Sequence, residues 1–176
     1  MPEIVQKNDD TDVLRATAEL IQENEFGSEE LKNILADMKE ALHDTDDGVA
    51  IAAPQIGISK RIFLVRDTVF AERGDLDTAD HEFINPELVN TSQATVELDE
   101  GCLSVRNTYG KVTRYKQATV RAYDISGDEF EVGGSGLLAQ IFQQEIEHLD
   151  GTLFVDKARD LREIDPEKRT HIKNRQ

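Results

Sequence analysis

Apolar residues recur at helical spacing in several parts of the chain. After Gly27 and Ser28, the clearest series is Leu31, Ile34, Leu35, Met38 and Leu42. Ser28 suits the cap position at the start of a helix, so this series predicts a helix that ends before Asp44. A shorter apolar stretch predicts an earlier helix from Asp12 to about Ile21.

Another helix is predicted near the C terminus, from about Ser135 to Gly151, because glycine suits the residue that follows a helix end. Its buried side is expected to carry apolar residues at helical spacing. They are Leu138, Ile141, Phe142, Ile146 and Leu149.

The middle of the chain is typical of strands. Residues 61–65 form a short apolar run, and a strand at 83–85 is expected to end at Pro86. Residues 118–123 and 129–132 flank a turn and predict a hairpin. A helix, then many strands, then one C-terminal helix predicts an α+β fold, with antiparallel strands packed around the C-terminal helix.

Composition narrows the classes of protein that fit. A chain of 176 residues suits one domain. Its net charge of −16 disfavours binding to DNA, and the sequence contains no apolar run long enough to cross a membrane. The single Cys excludes an intramolecular disulfide, so we expect a protein of the reducing cytoplasm.

Charge is distributed unevenly along the chain. Residues 1–50 contain four Lys or Arg against fourteen Asp or Glu, whereas the last twenty contain seven against four. We therefore predict a flexible acidic arm at 1–11, a domain at 12–158 and a basic tail at 159–176. The cations from residue 157 onward are Lys157, Arg159, Arg162, Lys168, Arg169, Lys173 and Arg175.

Three segments carry residue types that could support chemistry. Gln144–His148 reads Gln-Glu-Ile-Glu-His, so positions 144 and 148 lie on one helix face. Glu100–Ser104 contains the only Cys, and Gly48–Gly57 contains a lone polar side chain, Gln55. Taken singly, each also fits a plain structural interpretation: an exposed Glu–His pair, a small buried thiol, and a packed turn capped by Gln55.

Together, in this order and with these separations, the three segments resemble the peptide deformylase family, and the resemblance covers about residues 12–155. Further matching segments are Asp12–Arg15, Ile84–Pro86, Gly110–Arg114 and Leu137–Gly151. The resemblance implies a metallohydrolase that removes the formyl group from N-formylated nascent peptides. It also implies one divalent metal, chiefly Fe(II), with Zn or Ni as alternatives.

The resemblance also implies a role for individual residues. Cys102 and His148 match metal ligands, and Glu145 matches the catalytic carboxylate. Gln55 and the backbone N–H of Leu103 match the donors that polarise the formyl oxygen. Residues expected beside the substrate are Ala50 and Gly101, and those expected to support the metal ligands from behind are Glu100, Arg114 and Glu147, with Glu100 and Arg114 paired.

Gln144 departs from the family, which has a His metal ligand at this position, and a carboxamide binds such metals less well than imidazole. Three interpretations follow: an enzyme with weakened metal binding, a catalytically silent homologue that binds peptides, or an introduced change in an otherwise normal enzyme. A smaller departure is Ala50, where the family usually has Gly. The resemblance to bacterial deformylases implies that the basic tail contacts the ribosome, whose RNA phosphates attract cations, with a solvated terminus as the alternative.

Overall fold

The computed structural model describes residues 2–71 and 80–165. Within that part of the chain it shows an α+β fold of antiparallel sheets and a C-terminal helix. No helix there is long and apolar enough to cross a membrane. Four cations of the predicted tail, Lys168, Arg169, Lys173 and Arg175, lie outside the described residues.

The helix predicted after Ser28 is present as α1, Glu29–His43. The Ser28 side chain accepts a hydrogen bond from the Leu31 N–H at 3.1 Å and so satisfies one of the free donors at the helix start. Its buried residues are Leu31, Leu35, Met38, Ala41 and Leu42. These confirm the predicted apolar face, of which only Ile34 is partly exposed.

A five-stranded antiparallel sheet forms the centre of the domain. In spatial order its strands are β1 (Ala50–Ala52), β2 (Ile62–Val65), β3 (His81–Thr91), β6 (Gln117–Tyr123) and β7 (Glu129–Ser135). A short helix, α2, Asp67–Ala71, follows β2. The predicted hairpin is β6 with β7, in which Val120 faces Val132.

Side chains of β2 alternate between two apolar clusters, because successive residues of a strand point to opposite faces. Ile62 and Leu64 pack with the buried side of α1, whereas Phe63 and Val65 pack with the C-terminal helix. All four are fully buried. The sheet is therefore covered by a helix on each face.

The C-terminal helix, α3, spans Gly136–Leu149, as the sequence predicted. Gly151 follows it with a φ of 77°, and a Cβ there would lie 2.3 Å from the backbone oxygen of Arg15. Four of the five predicted core residues of α3 are buried, and Ile146 is partly buried against the same cluster. Side chains of α3 also reach a second sheet, where Gln143 bonds with the backbone of Tyr115 and Gln144 with that of Gly101.

That second sheet contains β4 (Thr95–Cys102), β5 (Val105–Tyr115) and β8 (Arg159–Glu163), in this order. β4 and β5 form a long hairpin that ends next to Cys102. The boundary predicted at residue 158 separates β8 from the strand with which it pairs. Residues 159–163 of the predicted tail are thus part of a sheet.

The predicted helix from Asp12 to Ile21 is absent. Its backbone bonds to distant segments instead: Ala18 N–H donates to Leu149 O at 2.8 Å, and Arg61 N–H donates to Glu19 O at 2.7 Å. A helix would need those groups for itself. Its apolar residues Leu14, Ala18 and Ile21 are buried all the same.

The strand expected to end at Pro86 continues to Thr91. A register shift between Ile84 and Glu87 accommodates the proline, which has no N–H to donate. Within this irregularity Asn85 has a φ of 49°. Its side chain exchanges two hydrogen bonds with the backbone of Ile21, which stabilises the bend.

Candidate metal centre and active site

The three candidate segments meet at one cleft of about 200 Å³. β1 and the 3-10 turn Ala53–Ile56 form one wall, the end of the β4–β5 hairpin forms another, and α3 forms the floor. The predicted site residues that line the cleft are Ala50, Gln55, Gly101, Cys102, Leu103, Gln144, Glu145 and His148. Residues far apart in the sequence are therefore brought together as expected.

Cys102 and His148 are the strongest candidate metal ligands, and they are in contact. The Cys102 Sγ lies 3.2 Å from His148 Nε2. Two such ligands of one tetrahedral ion are separated by about 3.5 Å, given metal–sulfur and metal–nitrogen bonds of about 2.3 Å and 2.0–2.1 Å. Sulfur and imidazole are also the donors that zinc and iron accept, so this pair fits a divalent metal.

Burial shapes the protonation of both ligands. Burial raises the pKa of Cys102 to about 12 and lowers the pKa of His148 to about 4. The second ring nitrogen of His148, Nδ1, is buried without a hydrogen-bond partner. A neutral imidazole is the form that binds a metal, so the environment of His148 favours the form that a ligand needs.

Gln144 occupies the third position beside this pair, but its side chain is already engaged. Its Nε2 donates to Gly101 O at 3.0 Å and to Glu100 Oε2 at 3.3 Å. Among the described residues, no group of three or more His, Cys, Asp or Glu is arranged to hold a metal. The donor set at the cleft is thus two strong ligands, a sulfur and a nitrogen, with a carboxamide next to them.

Glu145 lies on the floor of the cleft with 3% of its surface exposed. Its Oε2 is buried and has no hydrogen-bond partner. Burial, with a contribution from the nearby charge of Glu100, raises the pKa of Glu145 to about 8. A carboxyl group in this state can hold and release a proton near neutral pH.

Gln55 combines the two roles that the sequence left open. Its Oε1 accepts the N–H of Ala52 at 2.9 Å, which caps the 3-10 turn. Its Nε2 lies 3.4 Å from Cys102 Sγ and 3.2 Å from the Ser104 hydroxyl oxygen. The cap orients the amide so that its N–H groups face the cysteine loop.

Behind the cleft, Arg114 joins two carboxylates. Its guanidinium holds Glu100 with two bonds of 2.6 and 2.8 Å and Glu147 with one of 2.8 Å. Burial alone would lower the pKa of Arg114, but the hydrogen bonds to these carboxylates outweigh it and raise the pKa. The expected pairing of Glu100 with Arg114 is present, and the additional bond from Arg114 to Glu147 connects the cysteine loop to α3.

Two contributors were missed by the sequence analysis. Ser104 is fully buried, and its N–H donates to Cys102 Sγ at 3.3 Å. Tyr109 packs against Gly101, where an added Cβ would lie 2.7 Å from the tyrosine ring. Ser104 could have been suspected from its place two residues after the Cys. Tyr109 could not, because its contact depends on the register of β4 and β5.

Comparison with known proteins identifies the family of this chain. The family model for polypeptide deformylase matches residues 1–163. The chain belongs to the peptide deformylase family. A peptide deformylase of Thermomicrobium roseum is 43% identical over 133 residues, which covers 75% of this chain and 74% of that protein. One of Acidobacterium capsulatum is 42% identical over 143 residues, covering 81% and 79%.

Solved deformylase structures share the fold. A class I type b peptide deformylase from Acinetobacter baumannii has a TM-score of 0.78 at 31% identity, covering 89% of this chain and 98% of that one. A peptide deformylase from Legionella pneumophila has a TM-score of 0.77 at 35% identity, covering 98% and 91%. The resemblance seen in the sequence motifs therefore extends over nearly the whole chain.

Proposed function

We propose that this protein removes the N-formyl group from formyl-methionine at the start of nascent polypeptides. The observation that carries the proposal is the meeting of Cys102, His148, Glu145 and Gln55 in one cleft. These side chains come from three separate segments, and each has a chemically distinct part in hydrolysis of an amide. Membership of the deformylase family supports the same reaction.

Cys102 Sγ and His148 Nε2 would hold one divalent metal, with Fe(II) preferred over Zn or Ni. Such a metal acts as a Lewis acid and lowers the pKa of bound water toward neutrality. The α3 helix contributes His148 and Glu145 from consecutive turns, which makes it the metal-binding helix in this proposal. The remaining steps are performed by side chains and backbone groups of the cleft.

Gln55 and Leu103 would bind the formyl oxygen of the substrate. The Gln55 amide has two N–H groups, and one of them makes only a long contact of 3.4 Å to the Cys102 sulfur. That contact is weak enough to be exchanged for the formyl oxygen. The backbone N–H of Leu103 would be the second donor, and donors fixed in advance stabilise the charge that develops on this oxygen.

Glu145 would move the proton. Its carboxyl group lines the cleft and has one oxygen without a partner, so that oxygen is available to a water or to the substrate nitrogen. It would take a proton from the attacking water and return it to the leaving amine. Glu100, Arg114 and Glu147 would fix the position of the cysteine loop relative to α3. Ala50 and Gly101 would line the path of the substrate.

Gln144 would make this enzyme a weak metal binder. A neutral carboxamide replaces imidazole, and the amide nitrogen is committed to the Gly101 carbonyl and to Glu100. The alternative is a silent homologue that only binds peptides, and the retention of Cys102, Glu145 and His148 in one cleft favours the enzyme over it. We therefore favour a deformylase with reduced activity.

The test is an assay on protein purified without oxygen and loaded separately with Fe(II), Ni(II) or Zn(II). Formate release from a formyl-methionyl peptide should occur with at least one metal and disappear after treatment with a chelator. Peptide binding without formate release under every metal condition would replace this proposal with the silent homologue. A matching acetyl-methionyl peptide serves as the control substrate.

A location in the cytoplasm and contact with the ribosome through the basic tail complete the proposal. Within the tail, Arg159 and Arg162 pair with Glu97 and Asp99, and Lys157 just before the tail pairs with Glu147. Any contact with ribosomal RNA would therefore depend on the cations beyond residue 165.

A further inference from the structure

The predicted acidic arm makes ordered contacts with both loops of the cleft. Val5 N–H donates to the backbone oxygen of Gln55 at 2.8 Å, and Lys7 N–H donates to that of Ser104 at 2.8 Å. Between them, the Gln6 side chain turns inward. Its Nε2 donates to Leu103 O at 3.0 Å and to Ile4 O at 3.1 Å. The arm thus connects Gln55 to Ser104, two residues that are 49 positions apart in the sequence.

The Leu103–Ser104 peptide group is the part of the loop that Gln6 holds. The carbonyl of this peptide accepts from Gln6, and its N–H donates to the Cys102 sulfur at 3.3 Å. A peptide group is planar, so fixing its oxygen also fixes the direction of its N–H. Gln6 therefore acts on the sulfur through one rigid group, without touching it.

The arm itself is held in place close to Gln6. The N–H of Gln6 donates to Asp9 Oδ2 at 2.6 Å, and the N–H of Thr11 donates to Asp9 O at 2.8 Å. These contacts form a turn that limits the positions available to Gln6. A side chain on a restrained backbone loses less conformational entropy when it makes a hydrogen bond.

We propose that Gln6 is a positioning residue for the cleft: its side-chain amide holds the Leu103–Ser104 peptide so that the N–H of Ser104 stays on the Cys102 sulfur. Hydrogen bonds to a ligating sulfur orient it and tune its donation to a metal. The same contact sets the place of Leu103, whose N–H is assigned to the formyl oxygen. The part of this inference that concerns catalysis rests on the proposed deformylase function.

The test compares three variants of the full chain. Gln6→Ala removes the amide, Gln6→Met keeps the length and apolar packing but cannot donate, and Asn8→Ala changes an exposed residue of the same arm. The first readout is the rate at which iodoacetamide alkylates the chelator-treated protein, since Cys102 is the only cysteine. The second is kcat and KM after reloading with metal.

We expect both Gln6 variants to be alkylated more slowly, because a displaced Ser104 N–H no longer stabilises the thiolate, which is the form that iodoacetamide attacks. We also expect them to lose about 10-fold or more in kcat, with KM little changed. Asn8→Ala should match the parent protein in both readouts. Each variant is assayed at a temperature the same number of degrees below its own midpoint of thermal unfolding, so that global destabilisation does not imitate the effect.

Other results would overturn the inference. Parent-like alkylation of Gln6→Ala would show that the loop does not depend on the amide. Parent-like behaviour of Gln6→Met would show that packing, not hydrogen-bond donation, is what Gln6 supplies. If the parent protein releases no formate with any metal, the proposed function fails, and the alkylation rates alone still decide the role of Gln6.

Discussion

The side-chain nitrogen of Gln144 donates to the backbone carbonyl of Gly101 at 3.0 Å, one residue before Cys102. Glu100 offers the same nitrogen a second acceptor at 3.3 Å. Both partners are acceptors only, so reversing the amide would place oxygen against oxygen. The residue that departs from the family pattern is therefore fixed to the cysteine loop by its nitrogen, and only its oxygen remains for a metal.

Gln144→His should raise metal content and deformylase activity together, because it restores an imidazole to the position where the family has one. We expect a gain of about 10-fold or more in kcat/KM, which corresponds to about 1.4 kcal/mol of barrier. The matched control is Gln140→His, one turn earlier on α3 and outside the cleft. Metal content measured by elemental analysis and formate release should both stay at the parent level in that control.

Glu145→Gln should abolish formate release while leaving metal content unchanged. The amide retains the shape of the carboxyl but cannot take up a proton, and loss of a general base or acid costs about 10²–10⁴-fold in rate. Elemental analysis and a formyl-methionyl peptide assay on the same preparation separate the two effects. A variant that loses metal as well as activity would make Glu145 part of the metal site instead.

The sequence predicted well those elements whose pattern is local. Ser28 and the apolar series after it specify α1 because a cap and a helical period depend only on nearby residues. The stretch from Asp12 to Ile21 shows where such reasoning stops. Its apolar residues suggested a helix, but its backbone partners, such as Leu149 and Arg61, lie far away in the chain and no helix forms.

The same distinction applies to the site. Motif resemblance predicted which residues meet in the cleft, because the side chains of Cys102 and His148 belong to recognisable segments. It could not predict the role of Gln6. Gln6 donates to a backbone carbonyl, and every residue type has one, so the partner position carries no sequence signal. Nor could it predict that Arg114 holds Glu147 as well as Glu100, since that depends on how α3 packs against β5.

Arg114→Met should destabilise the protein strongly. It leaves Glu100, which is 3% exposed, without its two-bond partner, and removing one member of a buried ion pair costs about 3–5 kcal/mol. Lys157→Met is the matched control, since Lys157 contacts Glu147 from the solvent side and such pairs contribute about 0–1 kcal/mol. Urea denaturation of metal-free protein at neutral pH measures both. Equal losses of unfolding free energy in the two variants would mean that the buried ion pair contributes no more to stability than the exposed one.

The ion pair between Arg15 and Asp156 should make stability depend on pH. The hydrogen bond from Arg15 is the main reason that the pKa of Asp156 lies below its usual 3.8. A lowered carboxyl pKa stabilises the fold above 3.8, and this contribution disappears as the pH falls through the folded-state value. Arg15→Met should therefore cost about 0.5–1 kcal/mol at pH 7, with a difference that shrinks below about pH 4.

Urea denaturation at a series of pH values measures this difference, and a double-mutant cycle with Asp156→Asn isolates the pair. Asn at this position can still accept the N–H of Leu153, which Asp156 binds at 2.9 Å. A stability difference that persists unchanged at the lowest pH would assign the effect of Arg15 to packing.

Association with ribosomes should depend on residues 166–176, which contain Lys168, Arg169, Lys173 and Arg175 against one acidic residue, Glu167. A chain that ends at Asp165 keeps β8 and its pairing with β5, whereas a chain that ends at Ala158 would remove a strand of the second sheet. The first truncation therefore removes residues 166–176 without removing a strand.

In co-sedimentation at low salt, the full chain should bind ribosomes and the chain that ends at Asp165 should not. Binding of the full chain should weaken steeply at moderate salt, because contacts between cations and phosphates release counterions. Equal sedimentation of both chains would assign residues 166–176 to solvated surface, and the paired cations Arg159 and Arg162 would not rescue the proposal, since both chains contain them.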